Sequence, residues 1–97
     1  MKILLIEPMK KPRVLEIDHT LSEMQKLVGG DIDIIYPWED DPVCLVCNDN
    51  FIAEELPFNR VIGNTIIQGN FFIAGLGETD LCDLPEELIT KYKMMFE

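Results

Sequence analysis

Few residues of this 97-residue chain have the types and spacing that chemistry requires. Cys44-Leu-Val-Cys47 carries the C-x-x-C spacing of metal and redox sites, and Cys82 is a third cysteine. But "VCLVCN" reads as a buried strand, and residues three apart along a strand point to opposite faces. Metal knuckles and thioredoxin-like sites put that spacing on a turn or a helix start. The cysteines are therefore read as packing. His19, the one histidine, falls just before a helix cap, which suits a surface or capping role better than catalysis. A Cys–His pair would need His19 near Cys82 or Cys44, which no pattern suggests. Ser22, the one serine, falls inside a first helical turn, away from any nucleophile elbow. Neither a dinucleotide fingerprint nor a phosphate-cradling loop is present. Paired carboxylates are so plentiful that pairing alone carries no information. A two-carboxylate hydrolase would also need a cleft that desolvates one acid, which so small a chain has little room to build. The expectation is no catalytic residue, no metal and no cofactor.

Three features suit binding instead. Trp38 sits in the acidic loop "YPWEDDP", where it is either a partner anchor or local packing. Phe71 and Phe72 are adjacent in a strand, so their rings take opposite faces; if one face is bare, Phe72 or Phe71 is exposed for docking or dimerisation. Asn59-Arg60 in "LPFNRVIGN" is the third. As a ligand site, it would combine with Gly69 and Asn70, with glycine allowing backbone approach, asparagine hydrogen bonding and the guanidinium taking an anion. As architecture, Asn59 holds a turn and Arg60 pairs with one of many acids.

The elements that must position these residues follow from periodicity. "KILLIE" (2–7) is a continuous apolar run, as in a central strand, and "RVLEID" (13–18) returns beside it after a proline-bracketed connector. Thr20-x-x-Glu23 is a capping box, Leu21, Met24, Leu27 and Val28 form a helical stripe, and Gly29-Gly30 ends it. "DIDIIY" (31–36) and "VCLVCN" (43–48) read as strands, with Asp49-Asn50 as a hairpin turn into a short strand, "FIAEE". "LPFNRVIGN" reads as irregular, with one helical turn after Pro57. "TIIQGNFFIAGL" (65–76) is the longest β-like run, interrupted at Gly69 by a bulge or a close backbone approach. "GETDLCD" reads as a loop. The last helix takes Asp83 as cap and buries Leu88, Ile89, Tyr92, Met95 and Phe96. The pattern ββαββ(β)βα predicts one α+β domain over 1–97: a mostly antiparallel sheet of about five to six strands, with two helices on one face.

Charge narrows the partners. Eight basic against 18 acidic residues give a net charge of −10. Nucleic acid demands clustered Lys and Arg, and the one basic cluster, Lys10, Lys11 and Arg13, is small. A negative face could meet a basic protein surface. The run after Lys2 is too short for a signal core, and no stretch approaches the length of a membrane span, so the expected location is cytoplasmic, with no membrane partner.

"KILLIEP", "TLSEMQKLVGG", "DDPVCLVCN", "LPFNR" and "IIQGNFFIAGLGE" together make the chain similar to a family of small proteins known as domain of unknown function 3846. The resemblance runs nearly end to end and makes "LPFNR" and "IIQGNFFIAG" part of a shared pattern. It implies carriage by phages, mobile elements and Gram-positive gut bacteria, but no agreed activity and no catalytic residues. The leading expectation is a non-catalytic accessory protein that binds a host or phage protein, in a counter-defence role. One alternative is a small-ligand binder or sponge with its site near Asn59 and Arg60, at a homodimer seam; the other is a small carboxylate hydrolase.

Overall fold

The computed structural model describes residues 1–97. Three apolar runs become the centre of an antiparallel sheet: β1 (Lys2–Ile6), β4 (Val43–Asn48) and β7 (Phe71–Leu76). The flanking strands are β2 (Arg13–Glu16) and β3 (Ile32–Ile35), in the order β2-β1-β7-β4-β3, while β8 (Leu81–Cys82) pairs the end of β7. β5 (Phe58–Ile62) and β6 (Thr65–Gln68) form a separate two-stranded sheet. The helices are α1 (Leu21–Val28) and α2 (Glu86–Met95). The α+β, mainly antiparallel class is as the periodicity predicts, but with eight strands and the pattern ββαββββββα.

The helices do not share a face. Leu4, Ile6, Val43, Leu45, Cys47, Phe71 and Ile73 point towards α2 and the β5–β6 pair, where Ile67, Ile89, Tyr92 and Phe96 cover them. Ile3, Leu5, Cys44, Val46, Phe72 and Ala74 point to the other side, under Met24 and Val28 of α1. The physical reason is the composition of the central strands. Runs without a polar alternate have two apolar faces, and each face must be removed from water. Neither helix has a stripe wide enough to do both. Phe71 and Phe72 do take opposite faces, but both are fully buried, so no sheet face is bare. Cys44 and Cys47 also part as strand geometry requires, one in each core. Burial pushes both thiols up to about 11.

Local chemistry sets the ends. Thr20 Oγ1 accepts the Glu23 amide proton at 3.2 Å, and Gly29 closes α1 at φ 79°. Asp83 does not cap α2. Its Oδ1 accepts from the Lys2 amide at 2.9 Å, and α2 begins after Pro85 without a side-chain cap. "FIAEE" is a turn and not a strand: Asn48 Oδ1 takes the Asn50 amide, and the Leu56 amide donates to Phe51 O. Gly69, at φ 76°, ends β6 and separates it from β7, so the long β-like run is two strands in two sheets.

The 37–42 loop folds onto α2. Trp38 is half-buried, with its ring 4.5 Å from that of Tyr92 and 6.0 Å from that of Phe96. Asp41 Oδ2 accepts from Lys91 Nζ at 2.7 Å and from Tyr92 Oη at 2.5 Å. The Lys91 bond, then the Tyr92 bond, holds the Asp41 carboxyl below its usual range, while burial pushes the Tyr92 hydroxyl up. A depressed carboxyl contributes stability that is present above its unfolded pKa and lost as pH falls through its folded one. Asp41→Asn is therefore expected to lower the urea midpoint near neutral pH, with the gap from wild type closing below about pH 4. Urea titrations across that range check it, and a gap of constant size would contradict it.

Candidate functional site

"LPFNRVIGN" is not irregular. It is β5 and the start of a tight hairpin, in which Ile62 opposes Thr65 across Gly63-Asn64. Gly63 has φ 60°, the positive value that the first position of a type II′ connection demands. Val61 opposes Ile66 and Phe58 opposes Gln68, but Arg60 opposes Ile67, so β5 carries one extra residue between Phe58 and Arg60. That bulge explains the neighbouring pair. Consecutive strand residues normally point to opposite faces, whereas an extra residue lets Asn59 and Arg60 both turn towards the body of the protein.

Asn59 is 3% exposed. Its Nδ2 donates to Ile6 O at 2.9 Å and to Gly69 O at 2.7 Å, bonding the hairpin to the end of β1 and to its own exit. Its Oδ1 accepts from Arg60 at 2.9 Å. The Arg60 guanidinium also donates to Asn59 O at 3.1 Å, Lys10 O at 2.9 Å and Phe96 O at 2.9 Å. None of these partners is a carboxylate. Arg60 thus clamps the hairpin to the β1–β2 connector and to the C-terminal end of α2, where a cation complements the helix dipole. It does not project into a groove beside Gly69. The expected pairing of Arg60 with an acid is absent: the guanidinium bonds the Asn59 side chain and main-chain carbonyls instead.

Gly69 touches the clamp only through its carbonyl, and Asn70 bonds to α1 instead. They line a groove of about 260 Å³ with Pro8, Lys26, Leu56 and Pro57. A β-carbon on Gly69 would stand 2.7 Å from Leu56 Cδ1, so glycine here permits close packing. Asn70 Nδ2 donates to Leu27 O at the end of α1, 3.1 Å away. The four residues expected to line one ligand site are split between a clamp and a groove. Phe72 has no exposed surface, because α1 covers it, and it is not available to a partner. Trp38 lines an open depression of about 390 Å³ with Tyr36, Glu39, Asp40 and Lys91.

The clamp leaves one conspicuous surface. Val61 and Ile66 are cross-strand partners, and the bulge returns Phe58 to their side, so the three stand together on the outer side of the hairpin. They are 58%, 56% and 54% exposed. Inside, Ile67 is buried and Ile62 packs on the α2-side core. The signal for this face was in the sequence: Gly63-Asn64 between β-branched pairs is a hairpin signature, and alternation from Val61 to Ile66 then sets which residues face out.

A two-faced, mainly antiparallel sheet with one helix on each side and a clamped hairpin defines a small α+β protein. The chain belongs to the family described as Domain of unknown function (DUF3846), whose model matches residues 1–97. Neither a curated protein nor a solved structure matches it significantly.

Proposed function

We propose that this protein is a non-catalytic protein-binding accessory protein, and that it docks its partner through the outer face of the β5–β6 hairpin. The observation that carries the reading is the trio Phe58, Val61 and Ile66, exposed together on a strand pair whose inner face is bonded down. Apolar anchors on a preorganised element bind without a large ordering cost. The net charge of −10 favours a partner with a basic rim around an apolar depression. The mobile-element setting, with a host or phage protein as partner and host defence as the process opposed, is supported by the family resemblance alone.

A ligand site at Asn59 and Arg60 has less support, because an anion there would have to displace bonds to Lys10 O and Phe96 O. A carboxylate hydrolase has less still. Asp33 and Asp49 share a depression of about 430 Å³, but both residues are exposed, so the depression lacks the desolvated acid that such a hydrolase needs.

The test is affinity capture from host lysate with wild type and a Phe58→Ser/Val61→Thr/Ile66→Thr variant, both folded by circular dichroism. A protein retained by wild type and lost by the variant supports the reading. Identical captured sets, or a co-purifying metabolite with no captured protein, count against it.

A further inference from the structure

β3 ends the sheet, and its outer edge pairs with no other strand. The ladder shows which groups that edge leaves free. The Asp49 amide donates to Asp31 O at 2.8 Å, so Asp31 and Asp49 form a hydrogen-bonded pair. Such pairs alternate along an antiparallel ladder. Asp33 with Cys47 and Ile35 with Leu45 are then also hydrogen-bonded, and the main-chain N–H and C=O groups of Ile32 and Ile34 point away from β4. No turn or loop backbone takes them up. Side chains alternate about the same edge. Ile32 and Ile34 pack on the α1-side core, while Ile35 packs on the α2-side core and Asp33 shares its face. Each face carries an open depression beside the strand. On the α1 side, Ile34, Tyr36 and Leu76 line one of about 330 Å³ with Glu78 and Asp80. On the other side, Asp33 and Asp49 line the one of about 430 Å³ with Phe51 and Ile52. Neither lining holds a lysine or an arginine. The opposite edge of the sheet, β2, lines no depression.

We propose that the β3 edge takes up an extended basic segment of a partner protein as an added antiparallel strand. The free groups of Ile32 and Ile34 supply the main-chain bonds, and alternate side chains of the guest enter the two depressions. Once Ile32 and Ile34 are bonded to the guest, the residue across from Asp33 falls in a non-hydrogen-bonded pair, where side chains stand closest. A lysine or arginine there meets Asp33 and the acidic lining around it. The guest residues on either side turn to the α1 face and meet Ile32, Ile34 and Tyr36, which suits apolar side chains. The same geometry disfavours a second copy of this chain. Pairing β3 with itself about Asp33 sets two aspartates directly opposite, in a chain of net charge −10. The aspartate that blunts the edge against its own kind thus selects a basic strand. The surface is separate from the β5–β6 hairpin, none of whose residues lines either depression.

The probe is a short synthetic peptide alternating lysine and valine, titrated in excess and followed by NMR hydrogen exchange. Wild type is expected to bind it saturably, with protection of the Ile32 and Ile34 amides, and not to bind a peptide alternating glutamate and valine. Asp33→Lys, at an exposed position, should weaken the lysine peptide about tenfold and let the glutamate peptide bind. The Phe58→Ser/Val61→Thr/Ile66→Thr variant should bind the lysine peptide as wild type does, which separates failure at the edge from failure at the hairpin. The proposal is overturned by no binding, by equal binding of both peptides, or by protection elsewhere while Ile32 and Ile34 still exchange freely. It is equally overturned by an Asp33→Lys affinity within about twofold of wild type, by loss of binding in the hairpin variant, or by a dimer that protects the two amides without peptide.

Discussion

Asn59→Ala is expected to destabilise the protein by about 3 kcal/mol, because it orphans buried partners and does not merely delete a contact. Two carbonyls, Ile6 O and Gly69 O, lose the amide that satisfies them, and Arg60 loses one acceptor. Every buried polar side-chain atom in the native protein has a partner, so the change breaks a closed set of bonds. Urea unfolding at neutral pH measures it. A change under about 1 kcal/mol would mean that water replaces Asn59 in the clamp, and that the hairpin is held by apolar contact alone.

Phe72→Ala is expected to cost about 4 kcal/mol, within the range for emptying a large aromatic from a tight core. Phe72 sits opposite Leu5 on β1 and Val46 on β4, under α1, with no exposed surface. Total stability of a domain this size is typically about 5–15 kcal/mol, so the variant should be partly unfolded at modest temperature. Thermal or urea unfolding checks it. Had α1 and α2 shared one face, the ring would lie in solvent and the change would cost almost nothing. The same substitution thus measures the two-faced architecture.

The central strands were legible because their residues are apolar without alternation, and α1 because Thr20 and Gly29-Gly30 mark both ends. Helix placement was legible too, in principle: "KILLI", "VCLVC" and "FFIA" each demand cover on two sides, and that demand outweighs the simpler one-faced arrangement. The hairpin was missed because "TIIQGNFFIAGL" reads as one run. Only Gly69, at positive φ, divides it, and glycine in a strand equally suits a bulge. The real bulge is at Asn59, where no glycine marks it. The partners of Arg60 were illegible, since main-chain carbonyls of Lys10 and Phe96 leave no trace in side-chain pattern. β8 was missed because a two-residue strand is too short to register periodicity.

In the proposed docking role, clamp and display form one device. Asn59 and Arg60 face inward because of the bulge, and the same shift turns Phe58 outward beside Val61 and Ile66. A rigid hairpin keeps its apolar face assembled in the unbound protein, which limits the ordering cost on docking.

A photoreactive residue at Val61, activated in host cells with Arg60 intact or changed to alanine, tests this most directly. A discrete cross-linked protein adduct is expected from position 61, weakened when Arg60 no longer clamps the hairpin. The docking role is contradicted if position 61 gives no adduct while the same residue at Glu87 on α2 gives one, or if the adduct is indifferent to Arg60.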